Sequence, residues 1–88
     1  MVQKTVTIKN EKGFHIRPVG DFVKKIVGTK SNVDVEHGSK KVNAKSVMGL
    51  MSLGVKKGSE ITIIVNGSDE NEVLKVLVDF VEEGFGEL

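Results

Sequence analysis

Apolar residues in this chain switch between a spacing of two and a spacing near 3.6, which limits the kinds of element it can form. Alternating apolar and polar residues predict four strands. The first contains Val2, Val6 and Ile8, and the others cover residues 32–36, 41–44 and 60–65. Lys4 interrupts the first alternation, which favours a position at the edge of a sheet. Residues 36–40 predict a hairpin with Gly38 at a positive φ, and Asn66-Gly67 predicts a turn.

Segments with helical spacing separate and follow these strands. They cover residues 16–27, 47–53 and 69–81. Pro18 suits the first turn of the first helix, and Gly28 suits its end. Ser46 can cap the second helix. Asp69, with Glu72 three residues later, is a candidate capping box for the third.

The resulting element order is strand, helix, strand, strand, helix, strand, helix. Strands with one polar face and helices with one apolar stripe favour an α+β, two-layer open-faced sandwich. We expect a four-stranded, mainly antiparallel sheet covered on one face by three helices. A length of 88 residues allows a single domain, residues 1–88, with a modest core. Its chemistry is therefore expected at the surface, completed by a partner.

Composition excludes several classes of function. Thirteen basic and twelve acidic side chains leave a net charge of +1, which argues against a nucleic-acid partner. There is no Cys, and the two His are far apart in sequence, so no metal and no cofactor are expected. The N-terminus is not signal-like, and no apolar run approaches roughly 18 residues. We expect a cytoplasmic protein without membrane insertion, and a monomer.

The segment GFHIRP, residues 13–18, lies where a loop meets the first helix. Free N–H groups at a helix start, here near Ile16 and Arg17, attract anions. Arg17 is the only Arg, and its planar guanidinium suits phosphoryl oxygens, while Pro18, the only Pro, would hold the turn rigid. A neutral His15 could attack a phosphoryl donor and hold phosphohistidine. The other interpretation, that His15 only fills a helix entrance, stays open on these residues alone.

Two segments resemble one family. Residues 13–19, GFHIRPV, resemble the active-site signature of HPr, the histidine-containing phosphocarrier of the bacterial phosphoenolpyruvate:sugar phosphotransferase system, usually GLHARPA. Residues 41–54, KVNAKSVMGLMSLG, resemble the regulatory-serine segment of HPr from Gram-positive bacteria. Length, element order and the separation of the two motifs also agree, so the resemblance covers the whole chain.

The resemblance implies a phosphoryl carrier and not a turnover enzyme. His15 would accept a phosphoryl group from enzyme I, which draws it from phosphoenolpyruvate, and pass it to IIA domains of sugar permeases. Arg17, with the helix start formed by Ile16, Arg17 and Pro18, would hold the phosphate. Ser46 would be phosphorylated by HPr kinase/phosphorylase, which would recruit a transcriptional regulator of carbon catabolite control.

Docking would involve the nearly apolar second helix, because Met side chains suit a surface that serves several partners. The predicted partner-docking residues are Gly20, Val47, Met48 and Met51. Leu50 and Leu53 are expected to face the core, and His37 to have a structural or solvent role. Ile16, Val19 and Gly20 depart from the usual HPr residues, which bears on partner preference and transfer rate.

Two alternatives belong to other classes of function. A purely regulatory HPr paralogue would use only its Ser46 face, but such paralogues lack the reactive histidine. A small enzyme or ligand-binding domain on the same sandwich would need a closed pocket with convergent polar groups. The sequence shows no carboxylate pair and no Gly-rich phosphate loop from which to build one.

Overall fold

The computed structural model describes residues 1–87. Its elements in chain order are β1 (Val2–Thr7), α1 (Ile16–Ile26), β2 (Ser31–His37), β3 (Lys40–Asn43), α2 (Val47–Met51), β4 (Glu60–Gly67) and α3 (Glu70–Glu82). A short 3₁₀ turn over Gly84–Gly86 follows α3. This order confirms the predicted alternation of strands and helices.

The strands form one four-stranded sheet in the order β1-β4-β2-β3. Each neighbouring pair is antiparallel, and the register sets Val6 opposite Ile61 and Val35 opposite Ile63. The strand β1 lies at an edge, as the interruption at Lys4 predicts. Because side chains alternate across a strand, this register gathers the apolar positions of the strands on one face.

The helices cover that apolar face. Their buried side chains include Val19, Phe22, Ile26, Leu50, Leu77 and Val81. The opposite face is polar and open to solvent: Thr5 and Thr62 share a hydrogen bond of 2.8 Å between their Oγ1 atoms there. The predicted open-faced α+β sandwich is therefore confirmed. Leu50 and Leu53 are also buried, as expected.

Two predictions about the strands were wrong. Asn66 and Gly67 do not form a turn; they extend β4 and pair with Asn32 and Ser31. A Cβ on Gly67 would lie 2.6 Å from the Ser31 Cα atom, so glycine serves close approach between strands here. The strand β3 covers Lys40–Asn43 instead of residues 41–44.

The helix boundaries also differ from the sequence prediction. The helix α1 ends at Ile26, and Ile16 and Val27 are each 66% exposed instead of belonging to its buried stripe. The helix α2 ends at Met51 and not at Leu53.

The predicted capping box at Asp69 is absent. Asp69 precedes α3, but its side chain makes no capping bond. It instead accepts hydrogen bonds from Lys30 N (2.9 Å) and Ser31 Oγ (2.5 Å). A tertiary contact to the start of β2 therefore replaces the local cap. The backbone N–H of Gly67 donates to Glu70 Oε1 at 3.2 Å, which ties the end of β4 to the first turn of α3.

Candidate functional site

The loop before α1 is fixed by backbone contacts. Gly13 has a φ of 59°, and a Cβ there would lie 2.4 Å from Val55 O. Phe14 N donates to the same Val55 carbonyl at 3.1 Å. Asn10 is fully buried, and its Nδ2 donates to Gly13 O at 2.8 Å. These contacts fix the backbone conformation of the loop that leads into α1. Only glycine accommodates the positive φ and the close contact at position 13.

His15 is the N-cap residue of α1, with extended backbone angles and no capping bond from its side chain. Its carbonyl accepts from Val19 N at 3.2 Å, and its side chain is 30% exposed. Within residues 1–87, the backbone N–H groups of Ile16 and Arg17 have no hydrogen-bond partner. Pro18 has no N–H to offer and is buried, so it holds the turn and donates nothing. The helix start is therefore open to an anion.

A depression of about 530 Å³ opens beside His15. It is lined by Glu11, Lys12, His15, Arg17, Gly86 and Glu87. Arg17 is exposed here. Two cations and two carboxylates therefore line the same depression as the imidazole.

Glu87 contacts the imidazole directly. The His15 Nε2 atom lies 2.9 Å from Glu87 Oε2 and 3.1 Å from Oε1. Asn10 Nδ2 donates to the same Oε1 at 2.9 Å. These hydrogen bonds, that from Asn10 first, hold the pKa of Glu87 below its ordinary value, and the charge of Arg17 adds a smaller effect. Glu87 is therefore ionised at neutral pH.

Neither Asn10 nor Glu87 is predicted from the sequence. Asn10 lies in the loop before α1, and nothing in the neighbouring sequence marks its side chain as buried. Glu87 is 72 positions from His15, and only the return of the chain after α3 brings the two together. No local pattern carries that information.

Ser46 stands at the start of α2, where predicted. Its Oγ accepts a hydrogen bond of 2.9 Å from Gly49 N, and its carbonyl accepts from Leu50 N at 3.0 Å. The residue is exposed. A Cβ on Gly49 would lie 3.1 Å from this Oγ, so the glycine keeps room for the cap. The Ser46 hydroxyl is therefore accessible and also caps α2.

The predicted docking residues divide into exposed and packed side chains. Met48 is 83% exposed and Met51 38% exposed. Val47 packs against the core and is only half-exposed, so it fits the docking expectation less well. Gly20 lies on α1, which contacts α2, and a Cβ there would meet no atom within 4 Å. Ile16, exposed beside His15, was not among the predicted docking residues.

His37 lies away from this site. Its Nδ1 atom is 3.1 Å from Leu53 O, which ties the β2–β3 hairpin to the segment after α2. This contact agrees with the expected structural role. Among residues 1–87, no group of three or more His, Asp or Glu side chains is arranged to hold a metal ion. None of the helices in that range is long and apolar enough to cross a membrane.

The fold and the site together define a small α+β protein that presents one histidine at an open helix start, next to an exposed guanidinium. The family model described as the PTS HPr component phosphorylation site matches residues 2–83. The chain therefore belongs to the HPr family of the phosphotransferase system.

Curated relatives and solved structures agree with this assignment. The chain is 45% identical over 83 residues to the HPr-like protein Crh of Halalkalibacterium halodurans, covering 94% of this chain and 99% of that protein. It is 46% identical to the HPr-like protein Crh of Bacillus subtilis, covering 94% and 98%. HPr-C-His from Thermoanaerobacter tengcongensis superposes with a TM-score of 0.95 at 46% identity, covering 100% of this chain and 99% of that one.

Several of the similar structures are dimers. Bacillus subtilis Crh, described as a dimer with domain swapping, has a TM-score of 0.77 and 45% identity, covering 96% of this chain and 97% of that one. An HPr dimer from Thermoanaerobacter tengcongensis has a TM-score of 0.78 and 47% identity, covering 99% and 100%. The expected monomer is therefore not confirmed.

Proposed function

We propose that this chain is a cytoplasmic phosphocarrier. His15 accepts a phosphoryl group from enzyme I, which draws it from phosphoenolpyruvate, and donates it to IIA domains of sugar permeases. One observation carries the proposal: a partly exposed imidazole lies at the N-cap position of a helix whose Ile16 and Arg17 N–H groups are free, with Arg17 exposed alongside. Membership of the HPr family supports it.

The chemistry needs little more than this arrangement. A phosphoryl group arriving at His15 carries negative charge, which the free N–H groups and the guanidinium attract. A ring nitrogen attacks phosphorus, the bond between phosphorus and the donor breaks, and the electron pair leaves with the donor. Pro18 fixes the first turn, so these donors keep their positions before the group arrives. The same steps in reverse order pass the group to the next protein.

Partner contact is proposed for the exposed apolar residues near the site. Ile16 adjoins His15, and Met48 and Met51 lie on α2, which contacts α1. Gly20 leaves open space on α1 where a partner can approach. Carrier proteins must meet several partners in turn, and flexible Met side chains suit such a surface.

Regulation at Ser46 is the second part of the proposal. HPr kinase/phosphorylase would transfer a phosphoryl group to its exposed hydroxyl. The added charge, between about −1.5 and −2, would lie close to Gly49 N at the start of the helix that carries Met48. It would repel an acidic face of enzyme I and recruit a transcriptional regulator of carbon catabolite control that carries Arg or Lys.

A purely regulatory role is the second candidate, because both curated relatives described above are named Crh. The two candidates differ at His15. A regulatory protein that uses only the Ser46 face has no need of an open helix start beside a histidine. This chain has one, which favours the carrier.

Incubation with phosphoenolpyruvate, magnesium and a generic enzyme I tests the proposal, with intact mass as the readout. One acid-labile phosphoryl adduct is expected on the wild type and on a His37→Ala control, and none on His15→Ala. Because His15 is partly exposed, its replacement should leave the fold intact by circular dichroism. An adduct on the His15→Ala variant would show that the His15 assignment is wrong. An absence of any adduct on the wild type would favour the regulatory candidate.

A further inference from the structure

The carboxylate of Glu87 touches only one of the two ring nitrogens of His15. Both of its oxygens lie within 3.1 Å of Nε2. Within residues 1–87, Nε2 is the only ring atom of His15 with a hydrogen-bond partner, so the structure leaves Nδ1 unpaired. The contact is partly sheltered, since the two side chains are 30% and 19% exposed. A sheltered, charge-assisted hydrogen bond is stronger than one in open water.

This contact is built into the fold. Phe85, two residues before Glu87, is buried and takes an unusual φ of 55°. Its ring packs edge-to-face against three others, with centroids 5.9 Å from Phe14, 6.3 Å from Phe22 and 5.2 Å from Phe80. Phe14 adjoins His15 in sequence, so one aromatic cluster fixes both sides of the Glu87–His15 contact.

Asn10 also holds the Glu87 carboxylate in place. Its buried Nδ2 donates to both Gly13 O and Glu87 Oε1. The carboxylate therefore receives hydrogen bonds from the loop before α1 as well as from the imidazole. The other charged groups around the ring are Glu11 and Lys12 of the same loop and Arg17 of α1. Among residues 1–87, only Glu87 of these has a hydrogen bond to the ring.

The chemistry of the two partners then fixes the proton. An ionised carboxylate can only accept hydrogen bonds, so the Nε2 atom facing it must carry the proton. In a neutral imidazole the lone pair is then on Nδ1. Histidines that bind through one nitrogen are commonly oriented by a partner on the other.

We propose that Glu87 is a positioning residue for phosphoryl transfer, holding the His15 ring and its Nε2 proton so that the Nδ1 lone pair attacks phosphorus. The inference rests on the proposed carrier function. The bond between Nδ1 and phosphorus forms, the bond from phosphorus to the donor breaks, and its electron pair leaves with the donor. The Nε2 proton stays in place, and the positive charge left on the ring is balanced by the Glu87 carboxylate. Onward transfer reverses these changes and returns the neutral ring.

The direct test is the tautomer of His15, read from two-bond ¹H–¹⁵N correlations at pH about 9, well above the ordinary titration range of imidazole. The wild type should show only the Nε2–H form. Glu87→Ala should show an Nδ1–H population in addition, and Glu87→Asp, which keeps a carboxylate at shorter reach, should lie between them. Glu83→Ala is the matched control, because Glu83 is an exposed carboxylate just after α3 with no side-chain hydrogen bond in residues 1–87. It should match the wild type. Amide spectra establish that each variant is folded.

Phosphorylation is then compared in the same four proteins. Glu87→Ala should be phosphorylated about 10-fold more slowly than the wild type, the lower end of what an orienting partner of a histidine is worth. The loss should appear both with enzyme I and with phosphoramidate, a small chemical donor that needs no docking. Unchanged tautomers in Glu87→Ala, or changed tautomers with unchanged rates, would overturn the inference. Failure of the wild type with enzyme I would count against the carrier function alone, because the tautomer and phosphoramidate measurements do not depend on enzyme I.

Discussion

The starts of α1 and α2 differ in how the N-cap side chain is used, and each is a proposed phosphate site. At α1 the N-cap residue His15 makes no capping bond, and the following N–H groups are free. At α2 the hydroxyl of the N-cap residue Ser46 accepts from Gly49 N. Within residues 1–87 the first two N–H groups of each helix have no hydrogen-bond partner, so the difference lies in the N-cap side chain, which contacts Glu87 at α1 and its own helix at α2.

Under the proposed function, this difference matches two kinds of phosphate. A group that His15 receives and passes on within one cycle would meet a helix start that no side chain caps. A regulatory phosphate on Ser46 would remain covalently attached to a helix that is already capped, so it changes charge more than structure. A helix start without a side-chain cap is less stable, since such a cap is worth about 1 kcal/mol. At α1 the loop before the uncapped start is held in place by Gly13 and Asn10.

Replacement of Gly13 is expected to have the largest effect on the free energy of unfolding, because the loop before α1 depends on the close approach of Gly13 to Val55. Gly13→Ala forces a side chain into a left-handed conformation and against Val55 O, at a combined cost of about 2–5 kcal/mol. Gly54→Ala, just after α2, has a similar φ of 63° but no atom within 4 Å, and should cost about 1–2 kcal/mol. Urea unfolding measures both. Equal losses would mean that the contact with Val55 contributes nothing.

The sequence predicts the helix starts well and their surroundings poorly. Gly13, His15, Arg17, Pro18 and Ser46 lie in two short segments, so residue type and spacing are sufficient to place them. The order of strands and helices follows in the same way from periodicity. Local information decides these features.

Features that depend on distant parts of the chain were missed or misassigned. Glu87 reaches His15 only because Phe85 is buried after α3, and Asp69 contacts Ser31 in place of capping its own helix. Asn66 and Gly67 form a typical turn pair locally, yet pairing with β2 keeps them extended. In each case a tertiary hydrogen bond or ladder overrides a local preference.

The second prediction tests whether the open start needs the shape of arginine or only its charge. Arg17→Lys keeps the charge but loses the planar pair of donors, so transfer from enzyme I should slow about 10- to 100-fold, equivalent to one charge-assisted hydrogen bond. Stability should hardly change, because Arg17 is exposed. Lys24→Ala, which removes an exposed cation elsewhere on α1, is the control and should keep its rate. If Arg17→Lys kept the wild-type rate, Arg17 would act as a general positive charge.

The third prediction addresses Ser46 at the start of α2. Ser46→Ala leaves Gly49 N without its acceptor and should lower the free energy of unfolding by about 1 kcal/mol. Ser46→Asp should preserve the melting temperature, because Asp also caps well, yet slow transfer from enzyme I by placing a negative charge at the start of the helix that carries Met48. Thermal melts and phosphorylation rates measured on the same samples separate the two effects. An unchanged transfer rate for Ser46→Asp at every salt concentration would leave Ser46 as a cap alone.

The smallest effect is expected at the start of α3, where Asp69 uses its carboxylate away from its own helix. Hydrogen bonds from Lys30 N and Ser31 Oγ lower the pKa of Asp69 below its ordinary value of 3.8. A carboxyl whose pKa is lowered by folding stabilises the folded state above its unfolded pKa, and this contribution is lost as the pH falls through the folded value. The wild type should therefore be more stable than Asp69→Asn at neutral pH, and this gap in the free energy of unfolding should close below pH 3.8.

Glu72→Gln is the control. It removes the same charge from the first turn of α3, and within residues 1–87 Glu72 makes no side-chain hydrogen bond. Urea unfolding of the three proteins across acidic pH should show the closing gap only for Asp69→Asn. A gap for Asp69→Asn that is independent of pH would mean that the contact with β2 does not depend on the charge of Asp69.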